Sequence, residues 1–447
     1  MNTNTSSNKL ALKMAIALVC GLVAGFSCIV LREHLISSGN QEIWNTINNL
    51  LFQDITAQGA ENAIGIFYIV GQLFVNALQL IIVPMVFVSI TLAISAITDT
   101  KKFGRISSRT IFTFLKTTIF ALIWAGIVGT LVYQSGAFQS VQAEGIAIQE
   151  GATGSNPLII ILNIIPNNLI SAFTQNGNVL AIVFLAVCIG LAMNQLKDKT
   201  EILSKLFREV DKIISLCLSF IITKFAPIAI FALLTRTFAI YGIEYLLPAL
   251  AYLLCVFFAL FAYLLIGFPL YILIMAKVNP KPFIKKTAKV ALFGFSTSSS
   301  AATLPLNKKT CVEELGVHKD IASFILPLGM TINMDGTAIM QVIAALFVAI
   351  SAGYDVTFTS MAIIAILALI SSIGTPAAPG AGAVILFTIL TGMGYTNDAA
   401  LLAYSLILAI NRPIEMLVTS LNVIGDASTS VIVAKKENML DQDVYNS

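Results

Sequence analysis

The polar side chains able to carry chemistry in this 447-residue chain cluster toward its C-terminal end, inside segments that are otherwise apolar. Asn333 and Asp335 lie within one helical turn of each other, beside Gly329 and Gly336. Asn422 and Asp426 are one turn apart and share a helix face. Glu415, Thr419, Asn422 and Asp426 recur at i, i+4, i+7 and i+11, a polar stripe on an apolar cylinder, with Arg412 three residues before Glu415. A carboxylate at membrane depth costs a few kcal/mol even on lenient scales, roughly 3 kcal/mol for Asp. Hard oxygen ligands of this kind, joined by carbonyls freed in Gly-rich unwound backbone, suit a dehydrated monovalent cation. No His or Cys accompanies them, so transition-metal chemistry is not indicated.

The hydroxyl run Ser298-Ser299-Ser300 invites a nucleophile hypothesis, but both histidines, His34 and His318, fall in loops by this reading, leaving no base. The Gly425-Asp426 pair has Val423 where an intramembrane aspartyl protease needs Gly. No catalytic residue is assigned. The serines instead offer backbone N–H groups and hydroxyls to an anionic substrate group near a positive helix end.

The elements holding these residues follow from hydropathy and charge. A chain 57% hydrophobic and 11% charged lies outside the range of soluble globular domains and is expected to be a polytopic membrane protein. The first apolar stretch, 11 to 31, exceeds a signal-peptide core in length and is expected to be a retained span. Lysine and arginine clusters around 101–109, 197–212, 277–289, 308–319 and 435–436 face the cytoplasm by the positive-inside rule, which places both termini there. Six spans alternate regularly: 11–32, 66–97, 110–134, 158–195, 213–240 and 246–276. Basic clusters then flank 283–306 on both sides, so this segment is a re-entrant hairpin. A span over 319–350 follows. The segment 358–391 is broken by Pro376, Pro379 and several glycines between two loops without Lys or Arg, and is a second hairpin entering from outside. The last span, 398–435, returns inside. The expected architecture is all-α: eight transmembrane helices and two re-entrant hairpins, arranged as inverted repeats, with residues 1–276 as the N-terminal part and 277–447 as a core. Five cysteines sit singly in apolar segments and Cys311 in a basic loop; none has disulfide or metal spacing.

In the order and content of these motifs, together with Asn76 to Ser95 on the second span and Phe225-Ala226-Pro227-Ile228 on the fifth, the chain resembles the dicarboxylate/amino acid:cation symporter family. The resemblance implies a homotrimer in the cytoplasmic membrane, a scaffold holding the trimer, and a transport domain moving as an elevator. It implies sodium as co-transported ion and no organic cofactor. Carried over by residue, it places Gly329, Asn333, Asn422 and Asp426 at one sodium site, Thr331, Ser372, Ile373 and Thr375 at a second, and Thr117, Thr118, Asn333 and Asp335 at a third. Lys116, beside Thr117, stands where relatives carry an uncharged residue.

The same resemblance assigns substrate contacts to Ser298, Ser299, Ser300, Thr337, Ala378, Pro379, Gly380, Glu415, Val418, Thr419 and Asn422. Members that take acidic substrates carry Arg where Val418 stands here, and Glu415 replaces an aspartate that pairs with the substrate amine. A second carboxylate beside Val418 would lie unpaired in a low-dielectric site. The expected substrate is therefore a neutral amino acid. The alternative is an acidic amino acid or C4-dicarboxylate, driven by sodium or protons, with Arg412 as the cation; an anion channel is the alternative of a different class.

Overall fold

A computed structural model describes residues 3–57, 59–96, 100–138, 164–174, 178–196, 199–242, 246–373, 375 and 380–447. The chain is almost wholly helical, and its only β pairing among these residues is an isolated bridge between Val317 and Leu440. Among the described residues, seven helical runs are long and apolar enough to cross a bilayer.

The N-terminal part opens with α1 (Thr3–Ser37), α2 (Gln41–Leu51), α3 (Ile66–Ala96) and α4 (Thr100–Gln134). It continues through α5 (Leu169–Phe173), α6 (Val179–Leu196), α7 (Glu201–Phe220), α8 (Ala226–Tyr241), α9 (Leu246–Ala262) and α10 (Phe268–Tyr271). α1 packs along α8, and α3 along α6, α7 and α8. Small residues permit the close approach: a Cβ on Gly25 would sit 2.8 Å from that of Phe238, and one on Gly71 would meet Leu233 at 2.4 Å. Pro227 and Pro269 each lack an amide hydrogen, and a π-helical turn precedes each, Ile221–Phe225 and Tyr263–Gly267. Arg32 donates to the carbonyls of Ala239 and Ile240, which satisfies the acceptors left open at the end of α8.

The C-terminal part folds as two hairpin-plus-helix units. The first hairpin is α11 (Pro280–Thr297) and α12 (Ser300–Lys309); the helix after it divides into α13 (Lys319–Ile332) and α14 (Asp335–Ser351). The second hairpin is α15 (Phe358–Ile373) and α16 (Ala381–Gly392), followed by α17 (Asp398–Ile410) and α18 (Arg412–Lys436). The chain closes with α19 (Gln442–Asn446). α18 packs against α11, α13, α14 and α4, and 94% of its membrane-length window is buried, as is that of the α13–α14 run, against 28% for α1. The polar stripe thus lies at the centre of the protein.

Several boundaries differ from the sequence expectations. The span expected over 319–350 is unwound at Asn333 and Met334, and that expected over 398–435 is interrupted at Asn411, where Pro413 removes the amide that would continue the ladder. The span expected over 158–195 is shorter: Asn168 caps the small helix α5 by accepting from the Ser171 amide, and the apolar helix α6 begins only at Val179. Cys311, expected in a loop, is fully buried in the π-helical turn Thr310–Glu314 that extends α12. His34, also expected in a loop, lies in the last turn of α1. The outer connection expected from 33 to 63 contains the amphipathic α2, which seats Trp44 against Phe52.

Candidate functional site

The interruption between α13 and α14 gathers the first group. Asn333 (φ −97°, ψ 87°) and Met334 (φ −117°, ψ 49°) leave the helical region, so the backbone here does not complete a regular ladder. Their side chains are held from three directions. Thr118 Oγ1 donates to Asp335 Oδ1 at 2.7 Å, and Thr117 Oγ1 lies 3.2 Å from Asn333 Oδ1. Asn333 Nδ2 donates to Asp426 Oδ1 at 3.1 Å. Tyr263 Oη donates to the Thr117 carbonyl at 2.9 Å and steadies that turn of α4.

Glycines let this cluster close. A Cβ at Gly329 would stand 2.3 Å from Asp426 Oδ1, and one at Gly425 would stand 2.8 Å from Asn333 Nδ2. Gly329 gives its carbonyl to the Asn333 amide at 2.8 Å, with one lone pair remaining. Asp335 is wholly buried and its Oδ2 has no hydrogen-bond partner; Asp426 is 3% exposed. No basic side chain pairs with either carboxylate among the described residues. Two buried carboxylates without a counter-charge could hold a cation. Lys116 does not fill the role: adjacent helix positions do not face each other, and while Thr117 points to Asn333, Lys116 is exposed on the other side of α4.

Asn422 joins α18 to α14 by accepting from the Gly336 amide at 2.8 Å, while its Nδ2 reaches Thr337 Oγ1 and Met334 Sδ, each at 3.2 Å. Asn333, Asp335 and Asp426 are thus gathered with Thr117 and Thr118, and Asn422 and Thr337 form an adjoining hydrogen-bonded pair. Thr331, on α13, and Ser372, Ile373 and Thr375, at the end of α15, occupy two helices that pack together. Their hydroxyls turn back on their own segments, Thr331 to Leu328 and Thr375 to Ser371, and no hydrogen bond joins them among the described residues.

At the first hairpin tip Ser298 takes a left-handed conformation (φ 49°), which ends α11, and Ser299 caps α12 by accepting from the Ala302 amide. Ser300 is buried. The Ser298 hydroxyl is buried without a partner, a vacant donor and acceptor at a helix N-terminus. Two contacts fix this hairpin against α18: Asn307 Nδ2 to the Val423 carbonyl and Ser420 Oγ to the Ala291 carbonyl, both 2.8 Å. The amide in Leu-Pro-Leu-Asn307 was the available sequence signal for the first of these.

The second interruption, at Asn411, assembles a different group. Arg412 is buried, not snorkelled, and its Nη1 lies 3.7 Å from Glu415 Oε2. Arg412 Nε and Nη1 make no hydrogen bond, nor does Glu415 Oε1. Both residues border a cavity of about 40 Å³ with Asn411, Ile222, Gly380 and Ala383. Asn411 Oδ1 accepts from Tyr252, and its Nδ2 is also unpartnered. Neither Tyr252 nor Asn411 was foreseen; an Asn one residue before Arg-Pro is the signal that would have found the latter. Gly380 (φ 86°) begins α16 against Ile222, whose Cδ1 a Cβ would meet at 2.5 Å. Thr419 donates to the Glu415 carbonyl, and Val418 is buried one turn on. Ala378 and Pro379 lie outside the described residues.

A membrane-embedded bundle with two broken helices and a central carboxylate network defines a secondary transporter. The chain belongs to the sodium:dicarboxylate symporter family, whose description matches residues 10–436. It is similar to the proton/glutamate-aspartate symporter of Escherichia coli (28% identical, covering 83% of this chain and 85% of the relative). The C4-dicarboxylate transport protein of Deinococcus deserti is 29% identical over 83% of this chain and 84% of its own length. An excitatory amino acid transporter of Caenorhabditis elegans is 27% identical over 81% and 80%. These relatives are named for acidic amino acids or dicarboxylates and none for neutral amino acids, so the neutral-substrate expectation draws less support than its alternative. Family members are transporters and not enzymes.

Proposed function

We propose that this protein is a cation-coupled symporter for an acidic amino acid, with sodium as the co-transported ion. The observation that carries the substrate class is Arg412: a buried guanidinium with two nitrogens lacking acceptors demands an anion. Its companion Glu415 makes the pairing exchangeable. An acidic amino acid would give its side-chain carboxylate to Arg412 and its ammonium to Glu415, replacing one ion pair by two without leaving a buried charge alone. A C4-dicarboxylate lacks the ammonium and leaves Glu415 uncompensated. The α-carboxylate would meet Ser298, Ser299, Ser300 and Asn422, with Thr337 and Thr419 beside them.

For the co-ion, Asp335, Asp426, Asn333, Asn422, Thr117, Thr118 and the Gly329 carbonyl supply the oxygen-rich, carboxylate-bearing environment, and Thr331, Ser372, Ile373 and Thr375 a second, mostly carbonyl set. The relatives' names include a proton/sodium-glutamate symport protein of Bacillus caldotenax, so sodium and protons are the co-ions to compare. We place the protein in the cytoplasmic membrane with both termini inside, as a homotrimer working by elevator motion of the hairpin-bearing part.

One observation favours a second reading. Val418 is buried beside the stripe between Glu415 and Asn422, so the position where members taking acidic substrates carry Arg offers no cation to a side-chain carboxylate, which suits a neutral amino acid. Proteoliposomes separate the readings. Labelled aspartate uptake driven by an inward sodium gradient, and competed by glutamate but not by serine or alanine, supports the acidic reading. Uptake of neutral amino acids alone overturns it. Conductance without substrate-dependent sodium accumulation would indicate a channel.

A further inference from the structure

On the side of α4 away from the carboxylate network, a groove of about 310 Å³ runs between α4 and the helical run from Leu246 to Ala276. Its walls are apolar, formed by Phe120, Trp124, Tyr271, Ile274 and Met275, with one charged residue, Lys116. Phe120 and Tyr271 meet edge to face at 5.4 Å, and Trp124 Nε1 donates to the Ala259 carbonyl, so the walls are held in place. Two π-helical turns, Tyr263–Gly267 and Ile272–Ala276, form the opposite wall.

Lys116 lies two turns along α4 from Arg109, at the end of the groove nearest the basic C-terminus of α18. Arg109 is already committed, to Glu437 at 2.6 Å and to the Lys436 carbonyl. The Arg109 contact to the Lys436 carbonyl brings the end of α18 against this part of α4, and Lys116 and Lys436 are both exposed there. Two exposed ammonium groups at the end of an apolar groove on a helix of membrane-spanning length are complementary to one kind of partner. A basic pocket between helices at the cytoplasmic end of a span binds anionic headgroups, and a flexible lysine stem lets the charge reach the headgroup level.

We propose that this groove is a binding site for an anionic phospholipid, one acyl chain lying along Phe120, Trp124 and Tyr271 and the phosphate held between Lys116 and Lys436. The chain contacts Tyr263 and Tyr271 from outside, and Tyr263 is the residue bonded to the Thr117 carbonyl. The lipid therefore rests one residue away from the turn that holds Asn333 and Asp335.

The protein carries its own reporter, because it has two tryptophans and only Trp124 lines the groove. In a Trp44→Phe background, reconstituted into vesicles, Trp124 fluorescence is quenched by lipids with brominated acyl chains. Brominated phosphatidylglycerol should quench with a relative binding constant about 25-fold above that of brominated phosphatidylcholine, about fivefold for each of the two lysines. Lys116→Gln should lower the preference about fivefold, and Lys116→Arg should keep it. Lys436→Gln reads the other side of the same phosphate, should Lys116→Gln fail to fold. Equal quenching by both lipids with Lys116 intact, or a preference that survives both glutamine substitutions, overturns the proposal.

Discussion

The two helix interruptions differ in backbone and in charge: Asn333 and Met334 leave the helical region, whereas Asn411 keeps helical dihedrals and only the Pro413 amide is missing. At Asn333–Met334 the unwound turn faces Asp335 and Asp426, and no basic group answers them among the described residues. At Asn411 the break faces an arginine and a glutamate that already stand against each other at 3.7 Å. The first holds buried negative charge that the proposed co-ion would neutralise. The second is balanced in charge yet short of hydrogen bonds, since Arg412 Nε and Nη1 and Glu415 Oε1 all lack partners. On the proposed reading, the interruption short of charge takes the driving ion and the one short of hydrogen bonds takes a substrate with both an acid and an amine, α18 contributing Asp426 to the first and Glu415 to the second.

The strongest test of this contrast removes the charge at the first break. Asp335→Asn and Asp426→Asn should weaken sodium binding by on the order of 100-fold or more, the cost of losing one member of a buried charge set. Sodium-driven uptake should disappear while the protein still elutes as an assembled species. Wild-type sodium dependence in both variants would remove the cation assignment. Gly329→Ala attacks the same site through space, since its Cβ would stand 2.3 Å from Asp426 Oδ1. Overpacking of that kind costs roughly 1–3 kcal/mol. Apparent sodium affinity should fall about 10- to 100-fold, read from uptake against sodium concentration.

At the second break, Arg412→Gln should raise the half-saturating aspartate concentration by about 10- to 100-fold, from a charged hydrogen bond worth roughly 1.5–3 kcal/mol. Sodium affinity measured without substrate should hardly move, and a loss of both together would deny the division between the breaks. Linkage sharpens the point further: if both sites report on one closure, sodium must tighten aspartate binding by the factor with which aspartate tightens sodium. Calorimetric titrations giving sodium-independent substrate affinity would show the two breaks to be uncoupled. The smallest effect is expected at Asn307→Ala, which removes one hydrogen bond between α12 and α18. Melting of the detergent-solubilised protein should report about 1 kcal/mol of lost stability with transport retained.

The helical hairpins were legible because charge and hydropathy act over whole segments. Lysines on both sides of 283–306 left no other crossing, and α11 and α12 extend that segment only to Pro280 and Lys309. The break in 319–350 was not legible, because no proline stands at Asn333; it is set by partners over 90 residues away in sequence, Asp426 and Thr117 among them. Pro413 was a visible signal for the other break, but one missing amide leaves the hydropathy of the surrounding segment unchanged. Asp335, Asn422 and Asp426 could be picked out because polar groups in apolar helices are costly. The placement of Arg412 could not, since pairing with Glu415 at i+3 and snorkelling to the interface are equally open to the same spacing. Tyr252 and Tyr263 sit among many aromatics, and only distance distinguishes a hydroxyl that holds Asn411 or the Thr117 turn from one that merely packs.

The base of the first hairpin is clasped by the chain's last helical turn. Lys286 Nζ donates to the carbonyls of Glu314, Val444 and Tyr445, Tyr445 Oη donates to the Asn279 carbonyl, and the Tyr445 ring is fully buried. Lys286 and Tyr445 are 159 residues apart. A ribosome adding about 5–20 residues per second separates their emergence by roughly 8–30 s, long after α11 and α12 have helical hydrogen bonds of their own. During biogenesis the hairpin thus waits at the membrane with an ammonium group and an aromatic socket open. The arrival of α19 marks the moment at which the first half of the inverted pair becomes fixed, so the earlier repeat is completed after the later one.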